Sequence, residues 1–193
     1  RRISTLIGGA SFFAIDSGAS ESPAGSVDMD SIAILLRASG LAAPIAKALI
    51  DHGIPYKLSG EESWREEEEP DSVLASVQTG GVRIMTIHAA KGLEFDHVFV
   101  PALEEGILPF TLYGKGDRKK EHIEEEQRLL YVAMTRAQSG LYLSWARKRL
   151  FQGRLFQSPP SRFLGRLDRL IPLSETRRRA RKQEKPSPQL DLF

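Results

Sequence analysis

The stretch that decides the fold is VRIMTIHAAKGLEFDHVFV, residues 82–100. Two runs, the mostly apolar Val82–Met85 and the apolar Val98–Val100, enclose a polar segment that contains His88 and Glu94. Short apolar runs of this kind are typical of strands that are covered on both faces of a sheet. The stretch therefore predicts two core strands, joined by a connection whose ionisable side chains are placed to meet a ligand.

The composition describes an ordinary globular domain. The 193 residues are 41% hydrophobic and 27% charged, which is enough apolar sequence for one sizeable core. The absence of cysteine excludes disulfides and thiolate zinc sites and is typical of a cytoplasmic protein. No apolar run approaches the roughly 20 residues that a membrane-spanning helix needs, so we expect no membrane contact. The chain begins at Arg1, and we expect it to be a piece of a longer protein.

The net charge of +2 says little, but the charge is unevenly distributed. Acidic residues are concentrated in residues 61–69 and 124–126, and basic residues in 147–149 and 177–182. Taken singly, each cluster is read as a solvated face. Residues 174–188, rich in Arg, Lys, Pro and Ser, cannot bury enough apolar surface to fold alone and predict a flexible basic tail.

The apolar periodicity predicts strands that alternate with helices. The predicted strands span residues 31–37, 54–58, 82–87, 98–102 and 141–145, and the predicted helices span residues 41–52, 121–134 and 161–170. This alternation predicts an α/β fold with a mainly parallel sheet.

Polar residues lie at the end of the strand predicted at residues 82–87 and directly after it. Ligands of open parallel sheets bind at the carboxyl ends of the strands. Thr86 and His88 can donate hydrogen bonds to phosphate oxygens, and Glu94 can accept one from a hydroxyl. Gly92 has no side chain, so another molecule can approach the backbone closely at this position.

Two arginines also lie at positions where the chain leaves the predicted core. Arg37 ends the first predicted strand, and Arg136 lies in a turn after the helix at residues 121–134. Arginine stays charged and offers forked donors, so two arginines at neighbouring strand ends can form a clamp for a polyphosphate. Taken alone, each arginine is more often structural. The same holds for His88, and no second histidine is spaced to form a metal pair with it.

These residues together resemble a known family. Residues 82–109 (VRIMTIHAAKGLEFDHVFVPALEEGILP) and 124–149 (EEEQRLLYVAMTRAQSGLYLSWARKR) resemble motifs V and VI of UvrD/Rep-like superfamily 1 DNA helicases. Residues 30–60 are similar to the motif IV region, and the resemblance covers about residues 30–170. It implies that residues 1–173 form the second RecA-like motor domain, with three layers around a mainly parallel sheet.

The resemblance also implies a nucleotide site. Glu94 would contact the ribose, and Arg136 would be the motif VI arginine finger. Arg37 would be the motif IV arginine that reaches the terminal phosphate, and Gly92 lies in the same ATP-binding segment. The implied cofactor is ATP with Mg²⁺. The Mg²⁺ ligands and the Gly-rich phosphate loop are expected on a first RecA-like domain, since no stretch of this sequence resembles either.

The other implied ligand is single-stranded DNA, toward which Thr86 and His88 would lie. The whole enzyme would be an ATP-dependent helicase of 3′ to 5′ polarity, whereas this fragment alone would be inactive. The alternative is a non-catalytic helicase-like module that binds DNA or a clamp. A helicase–nuclease of recombination type is a further alternative, but no nuclease carboxylate cluster is visible.

The sequence departs from the family pattern at two places. Leu36 stands where the family often has a Tyr that stacks on adenine. Residues 59–80 stand where a large helical subdomain is usually inserted. We therefore expect a domain that lacks most of this insertion, either naturally or because it has been removed.

The last residues resemble the bacterial sliding-clamp binding peptide, in which a Gln and a Leu-x-Leu-Phe group fill a pocket. The matching residues are Gln189, Leu190, Leu192 and Phe193. Their position at the end of the tail formed by residues 174–193 is where such a peptide would work. The equal alternative is an ordinary tail end that packs on its own domain.

Overall fold

The computed structural model describes residues 2–6, 27–59, 80–111, 120–151 and 153–167. A five-stranded parallel sheet, ordered β2-β3-β1-β4-β5, lies at its centre, and a separate antiparallel hairpin is formed by β6 and β7. The strands are β1 (Ile32–Leu36), β2 (Tyr56–Ser59), β3 (Val82–Thr86), β4 (Phe95–Val100), β5 (Ala137–Leu143), β6 (Lys148–Phe151) and β7 (Arg154–Gln157). The helices are α1 (Arg2–Leu6), α2 (Ala42–Ile50), α3 (Lys120–Met134) and α4 (Leu164–Leu167). Among these helices, none has the length and apolar character needed to cross a membrane.

The central strand β1 is buried over its whole length. Its alternate residues Ile32, Ile34 and Leu36 belong to a first core cluster, which also contains the buried side of α2. Ala33 and Leu35 belong to a second cluster, which contains the buried side of α3. Because successive side chains of a strand point to opposite faces, the sheet is covered by helices on both sides. The predicted three-layer α/β fold with a mainly parallel sheet is confirmed.

Helix α2 shows how local sequence sets the bounds of an element. Pro44 lies in its first turn, where the missing N–H removes no intrahelical hydrogen bond. The helix ends before Gly53, which has a left-handed φ of +63° and donates its N–H to Ile50 O at 2.8 Å. A glycine in this conformation is a common helix terminator. The helix predicted at residues 41–52 is therefore confirmed, with slightly shifted ends.

The starts of two strands were predicted wrongly. β4 begins at Phe95 and β5 at Ala137, where the two residues form the first pair of the β4–β5 ladder. The sequence pattern placed these starts later because polar residues interrupt the apolar runs. On β5, an outer strand of the sheet, residues 137–140 are half-buried or exposed, so the fold does not require apolar side chains there.

The β6–β7 hairpin was not predicted at all. Gly153, with φ +72°, lies between the two strands and is the usual signal for such a turn. The signal was obscured because β6 begins inside the basic cluster at residues 147–149. The helix predicted at residues 161–170 is described only at α4, and most of residues 59–80 and all of the tail lie outside the described residues.

Asp30, just before β1, is hydrogen-bonded to β2 and to the residue that precedes β3. Its Oδ1 accepts hydrogen bonds from Lys57 Nζ and from Gly81 N, each at 3.1 Å. Burial raises the pKa of the Asp30 carboxyl, but the hydrogen bonds from Gly81 and Lys57 and the nearby charges outweigh burial. The pKa of Asp30 therefore lies below its ordinary value of 3.8.

We expect Asp30→Asn to lower the melting temperature at neutral pH by an amount that shrinks in acid. A carboxylate with a lowered pKa stabilises the fold above its unfolded-state pKa, and this contribution is lost as the pH falls below about 4. At neutral pH the substitution should lower the free energy of unfolding by about 1 kcal/mol, since the Asp30 carboxylate is partly exposed. Thermal unfolding at about pH 7 and pH 3 would test this, with the exposed Asp51→Asn as control. An equal difference at both pH values would contradict it.

Two candidate sites at opposite edges of the sheet

The first candidate site lies at the carboxyl edge of the sheet, where β1 and β3 end side by side. Leu36 is in register with Thr86, and Ile87 N donates to Leu36 O at 2.9 Å. An open cleft of about 320 Å³ lies there, which we call the carboxyl-edge cleft. It is lined by Arg37, Ala38, Ser39, Gly40, Thr86, His88, Phe110 and Phe151. The structure thus brings Arg37 together with Thr86 and His88.

Arg37 is held in this cleft by a buried carboxylate. Its Nε donates to both carboxylate oxygens of Glu126, at 3.1 and 2.9 Å, and its Nη2 donates to Oε1 at 2.7 Å. The Glu126 side chain is only 3% exposed. The guanidinium carbon of Arg37 also lies 5.1 Å from the centre of the Phe110 ring. Of the five donors of Arg37, both on Nη1 and one on Nη2 have no partner within the described residues.

Thr86 shapes the turn that presents His88. Its Oγ1 accepts a hydrogen bond from Ala89 N at 3.2 Å, and its carbonyl accepts one from Ala90 N at 3.2 Å. Thr86 is itself 5% exposed, whereas His88 is exposed. The Thr86 hydroxyl keeps its own hydrogen for a further acceptor, because it serves as an acceptor toward Ala89.

The start of α2 adds backbone donors to the same cleft. A 3-10 turn, Ser39–Leu41, leads into α2, and neither it nor α2 has a side-chain cap. Leu41 N and Ala42 N are already bonded to Ala38 O and Ser39 O, so within the described residues the N–H groups of Ser39 and Gly40 are the ones left to attract an anion. The cleft therefore combines a fixed cation, hydroxyl and backbone donors, and the rings of Phe110 and Phe151. This combination suits a ligand that has phosphates and flat rings.

The second candidate site lies at the start of β4 and β5, and we call it the amino-edge cluster. Phe95 N donates to Arg136 O at 2.9 Å, which joins the two strand starts. The Arg136 side chain donates from Nη1 to Leu93 O at 3.1 Å. Glu94 is exposed and accepts a hydrogen bond from Gln138 Nε2 at 2.8 Å. Glu94 and Arg136 are therefore neighbours in the fold.

The Arg136 guanidinium is partly engaged within the domain. Besides the bond to Leu93, its Nε donates to Val132 O at 3.2 Å and its Nη2 to Thr135 Oγ1 at 3.2 Å. Three of the five donors of Arg136 are thus used, and one on each terminal nitrogen has no partner among the residues that the structure describes. These bonds fix the direction of the side chain before any ligand arrives.

Gly92 contributes its backbone conformation to the amino-edge cluster. Its φ is +84°, a conformation that costs other residues about 1–2 kcal/mol. A Cβ at this position would meet no atom within 4 Å, so the space in front of Gly92 is open. The close approach of another molecule to Gly92 stays a prediction, and the turn itself also requires glycine.

The predicted clamp of two arginines is wrong for this domain. The six residues of β4 span about 20 Å, at roughly 3.3 Å per residue. Arg37 follows a strand of this parallel sheet, whereas Arg136 precedes one, so the two side chains start from opposite edges. For the same reason Glu94 and Gly92 lie at the amino edge, away from the carboxyl ends where all of these residues were expected.

Leu36 is fully buried in the first core cluster. A residue at this position cannot contact an adenine, since its side chain points into the protein. The four residues of the predicted clamp-binding peptide, Gln189, Leu190, Leu192 and Phe193, lie outside the described residues.

Four site residues were missed by the sequence analysis: Glu126, Gln138, Phe110 and Phe151. Only Glu126 had a usable signal, because it precedes the buried Leu130 by four residues and therefore shares its helical face. The run of three glutamates at residues 124–126 concealed this signal by resembling a solvated face. The other three depend on tertiary contacts.

No group of three or more His, Cys, Asp or Glu side chains that could hold a metal ion occurs within the described part of the chain. For a nucleotide, the residues present fit half of a site. Glu94 is an exposed acceptor that suits a ribose hydroxyl, and Arg136 has two free donors that suit a phosphate oxygen.

The chain is thus a three-layer α/β domain with two polar candidate sites at opposite edges of one sheet. Residues 66–148 match the family model of the UvrD-like helicase C-terminal domain. The resemblance of this chain to the C-terminal domain of UvrD-like helicases is thereby confirmed.

Three curated relatives agree with this match. ATP-dependent DNA helicase Rep of Buchnera aphidicola subsp. Baizongia pistaciae is 48% identical over 86 residues, which are 45% of this chain and 12% of that protein. ATP-dependent DNA helicase PcrA of Bacillus subtilis is 39% identical over 117 residues, 56% of this chain and 15% of that protein. DNA helicase II of Rickettsia typhi is 44% identical over 97 residues, 50% of this chain and 15% of that protein.

The chain thus spans only about an eighth to a seventh of the length of these relatives. Among solved structures, the C-terminal domain of a possible DNA helicase from Lactobacillus plantarum covers 85% of this chain, and this chain covers 71% of it. The TM-score is 0.43 and the identity 20%, values too low to support a conclusion.

Proposed function

We propose that this chain is the C-terminal motor domain of an ATP-dependent DNA helicase that moves 3′ to 5′ along one strand in the bacterial cytoplasm. The observation that supports the proposal best is the presence of two chemically different sites on one sheet. The connection at residues 87–94 joins them directly, because it runs from the carboxyl-edge cleft to the amino-edge cluster.

The amino-edge cluster is the proposed nucleotide half-site. ATP with Mg²⁺, bound between this domain and a first RecA-like domain, would supply the phosphoryl transfer that drives movement. Glu94 would accept a hydrogen bond from a ribose hydroxyl, and Arg136 would direct its two free donors at the transferred phosphate. Gly92 would keep the approach open. The Mg²⁺ ligands are proposed to lie on the first domain.

The carboxyl-edge cleft is the proposed binding site for single-stranded DNA. His88 and the hydroxyl of Thr86 would donate hydrogen bonds to backbone phosphates. We assign Arg37 to this cleft rather than to the terminal phosphate of ATP, because it lies with Thr86 and His88 and far from Arg136. Binding of this kind is salt-sensitive and depends little on sequence.

The two assignments can be separated by mutation in the complete protein that contains this domain. Thr86→Ala combined with His88→Ala should weaken the affinity for a labelled oligo-dT about tenfold, a change of about 1.4 kcal/mol. Its affinity for a fluorescent ATP analogue should stay nearly unchanged. Glu94→Ala is the matched control and should show the reverse pattern. Fluorescence anisotropy measures both affinities.

An equal loss of both affinities in the Thr86/His88 variant would show that the turn has been misfolded and would remove the support for two separate sites. The remaining alternative is a helicase-like module that binds DNA without hydrolysing ATP. The two departures from the family pattern, at Leu36 and at residues 59–80, are the features that favour this alternative. DNA-stimulated ATP hydrolysis by the complete protein would exclude the module.

The C-terminal peptide is proposed, on its sequence alone, to bind the bacterial sliding clamp. A synthetic peptide of residues 185–193 should bind the clamp with micromolar affinity, about −8 kcal/mol. Leu192→Ala with Phe193→Ala should abolish binding, because these side chains would fill the apolar pocket. Asp191→Asn, at the variable position, is the control and should bind normally. No heat of binding for the intact peptide at high clamp concentration would contradict the proposal.

A further inference from the structure

Resting on the proposed function, we propose that Glu126 is the positioning residue of the carboxyl-edge cleft. It does not touch the DNA strand. It binds the guanidinium of Arg37 on the side away from the open cleft, so that the unpaired donors of Arg37 face the phosphates of a bound DNA strand.

The carboxylate of Glu126 is fully occupied by residues that line the cleft. Oε1 accepts from Arg37 Nη2 at 2.7 Å and from Arg37 Nε at 3.1 Å. Oε2 accepts from Arg37 Nε at 2.9 Å and from Phe110 N at 2.9 Å. A single carboxylate on α3 therefore fixes both the cation and the backbone of one of the two phenylalanines in the cleft.

The location of the pair argues for a role beyond packing. A buried ion pair is weak evidence for stability, because an apolar pair of similar volume is often as stable. Here the acid is hidden at 3% exposure, while the Arg37 side chain is 20% exposed and borders an open cleft. The arrangement presents a positive charge to the ligand and keeps the negative charge of Glu126 away from it. A fixed side chain also loses less rotamer freedom on binding.

The inference can be tested by a double-mutant cycle in the complete protein. Glu126→Gln has nearly the same shape and can still accept from Phe110 N, but it no longer carries the charge that fixes Arg37. Arg37→Met removes the cation and keeps much of its volume. We expect each single change to weaken oligo-dT binding about tenfold, or about 1.4 kcal/mol. The double variant should bind no more weakly than Arg37→Met, since Glu126 acts only through Arg37.

Thermal unfolding supplies a readout that moves in the opposite direction. Arg37→Met leaves a buried carboxylate without its cation and should lower the melting temperature. Adding Glu126→Gln to it should raise the melting temperature again without restoring DNA binding. Glu105→Gln is the matched control: Glu105 pairs with Arg162 at 2.9 Å but neither residue lines the cleft, so DNA affinity should not change.

Two results overturn the inference while leaving the proposed function intact. One is a Glu126→Gln protein that binds oligo-dT as tightly as wild type. The other is a double variant that binds about tenfold more weakly than Arg37→Met, because additive losses mean that Glu126 acts independently of Arg37. If the wild-type protein itself fails to bind oligo-dT, the proposed DNA site fails, and the inference fails with it.

Discussion

Replacing Arg136 by alanine in the complete protein is expected to lower the rate of ATP turnover by about 10³–10⁵-fold. The physical reason is that a guanidinium placed beside the transferred phosphate stabilises charge that develops mainly in the transition state. ATP binding in the ground state should therefore change little. Turnover is measured with a coupled assay at saturating single-stranded DNA, and binding with a fluorescent ATP analogue.

Two further substitutions sharpen this test. Arg136→Lys keeps the charge but loses the forked donors, so it should restore only a small part of the rate. Arg128→Ala removes an exposed arginine from α3, the helix that precedes Arg136, and should leave turnover unchanged. Arg136 also donates to Leu93 O, so its loss could disturb the connection at residues 87–94. The affinity for oligo-dT should therefore be measured in parallel, because an unchanged affinity shows that this connection is intact. An Arg136→Ala protein that unwinds DNA at near wild-type speed would show that Arg136 is not the arginine finger.

The second large effect is expected for Glu104→Ala, which should lower the free energy of unfolding by about 3 kcal/mol. Glu104 is 1% exposed and accepts hydrogen bonds from Ala146 N at 2.6 Å and from Arg149 Nε and Nη2 at 2.8 Å each. Removing one partner of a buried pair costs about 3–5 kcal/mol, and the lower figure applies because Arg149 is 21% exposed. Urea unfolding of the purified chain measures the change.

Glu105→Ala provides the comparison for this prediction. Its pair with Arg162 is more exposed, at 22% and 53%, so its loss should cost about 1 kcal/mol. If the two variants lose equal stability, the burial of Glu104 is not what makes its pair important. Loss of the Glu104 pair should also loosen the β6–β7 hairpin, since Arg149 lies on β6.

The sequence predicted the core of the fold because the core strands are buried on both faces. β1 illustrates this, since all five of its residues are buried and all are apolar. β4 shows the limit of the method: its first half carries Asp96 and His97, so the apolar pattern indicated a start at Val98. That error of three residues had a large consequence, because it placed Glu94 in a loop at the carboxyl edge instead of directly before a strand.

The sequence indicated candidate site residues, whose roles stay predictions, but it did not indicate how they are arranged in the fold. Thr86, His88 and Glu94 were singled out because ionisable or hydroxyl groups beside a buried strand must form hydrogen bonds, either within the protein or to a ligand. The grouping of Arg37 with Thr86 and His88 depends on strand order and register, which local pattern does not contain. The bond between Arg37 and Glu126 joins residues 89 positions apart, so only the folded chain reveals it.

The connection at residues 87–94 limits how the domain can move. Eight residues can reach at most about 26–29 Å, at roughly 3.3–3.6 Å each, and they cross a sheet that is about 20 Å long. Ile87 and Ala90 are fully buried within this connection and anchor it to the second core cluster. Because the buried Ala90 lies between His88 and Glu94, we expect these two residues to keep their relative position when the domain moves. We therefore expect the two candidate sites to travel together as one rigid body, so that a rotation of the domain imposed at the proposed nucleotide site also displaces the proposed DNA site.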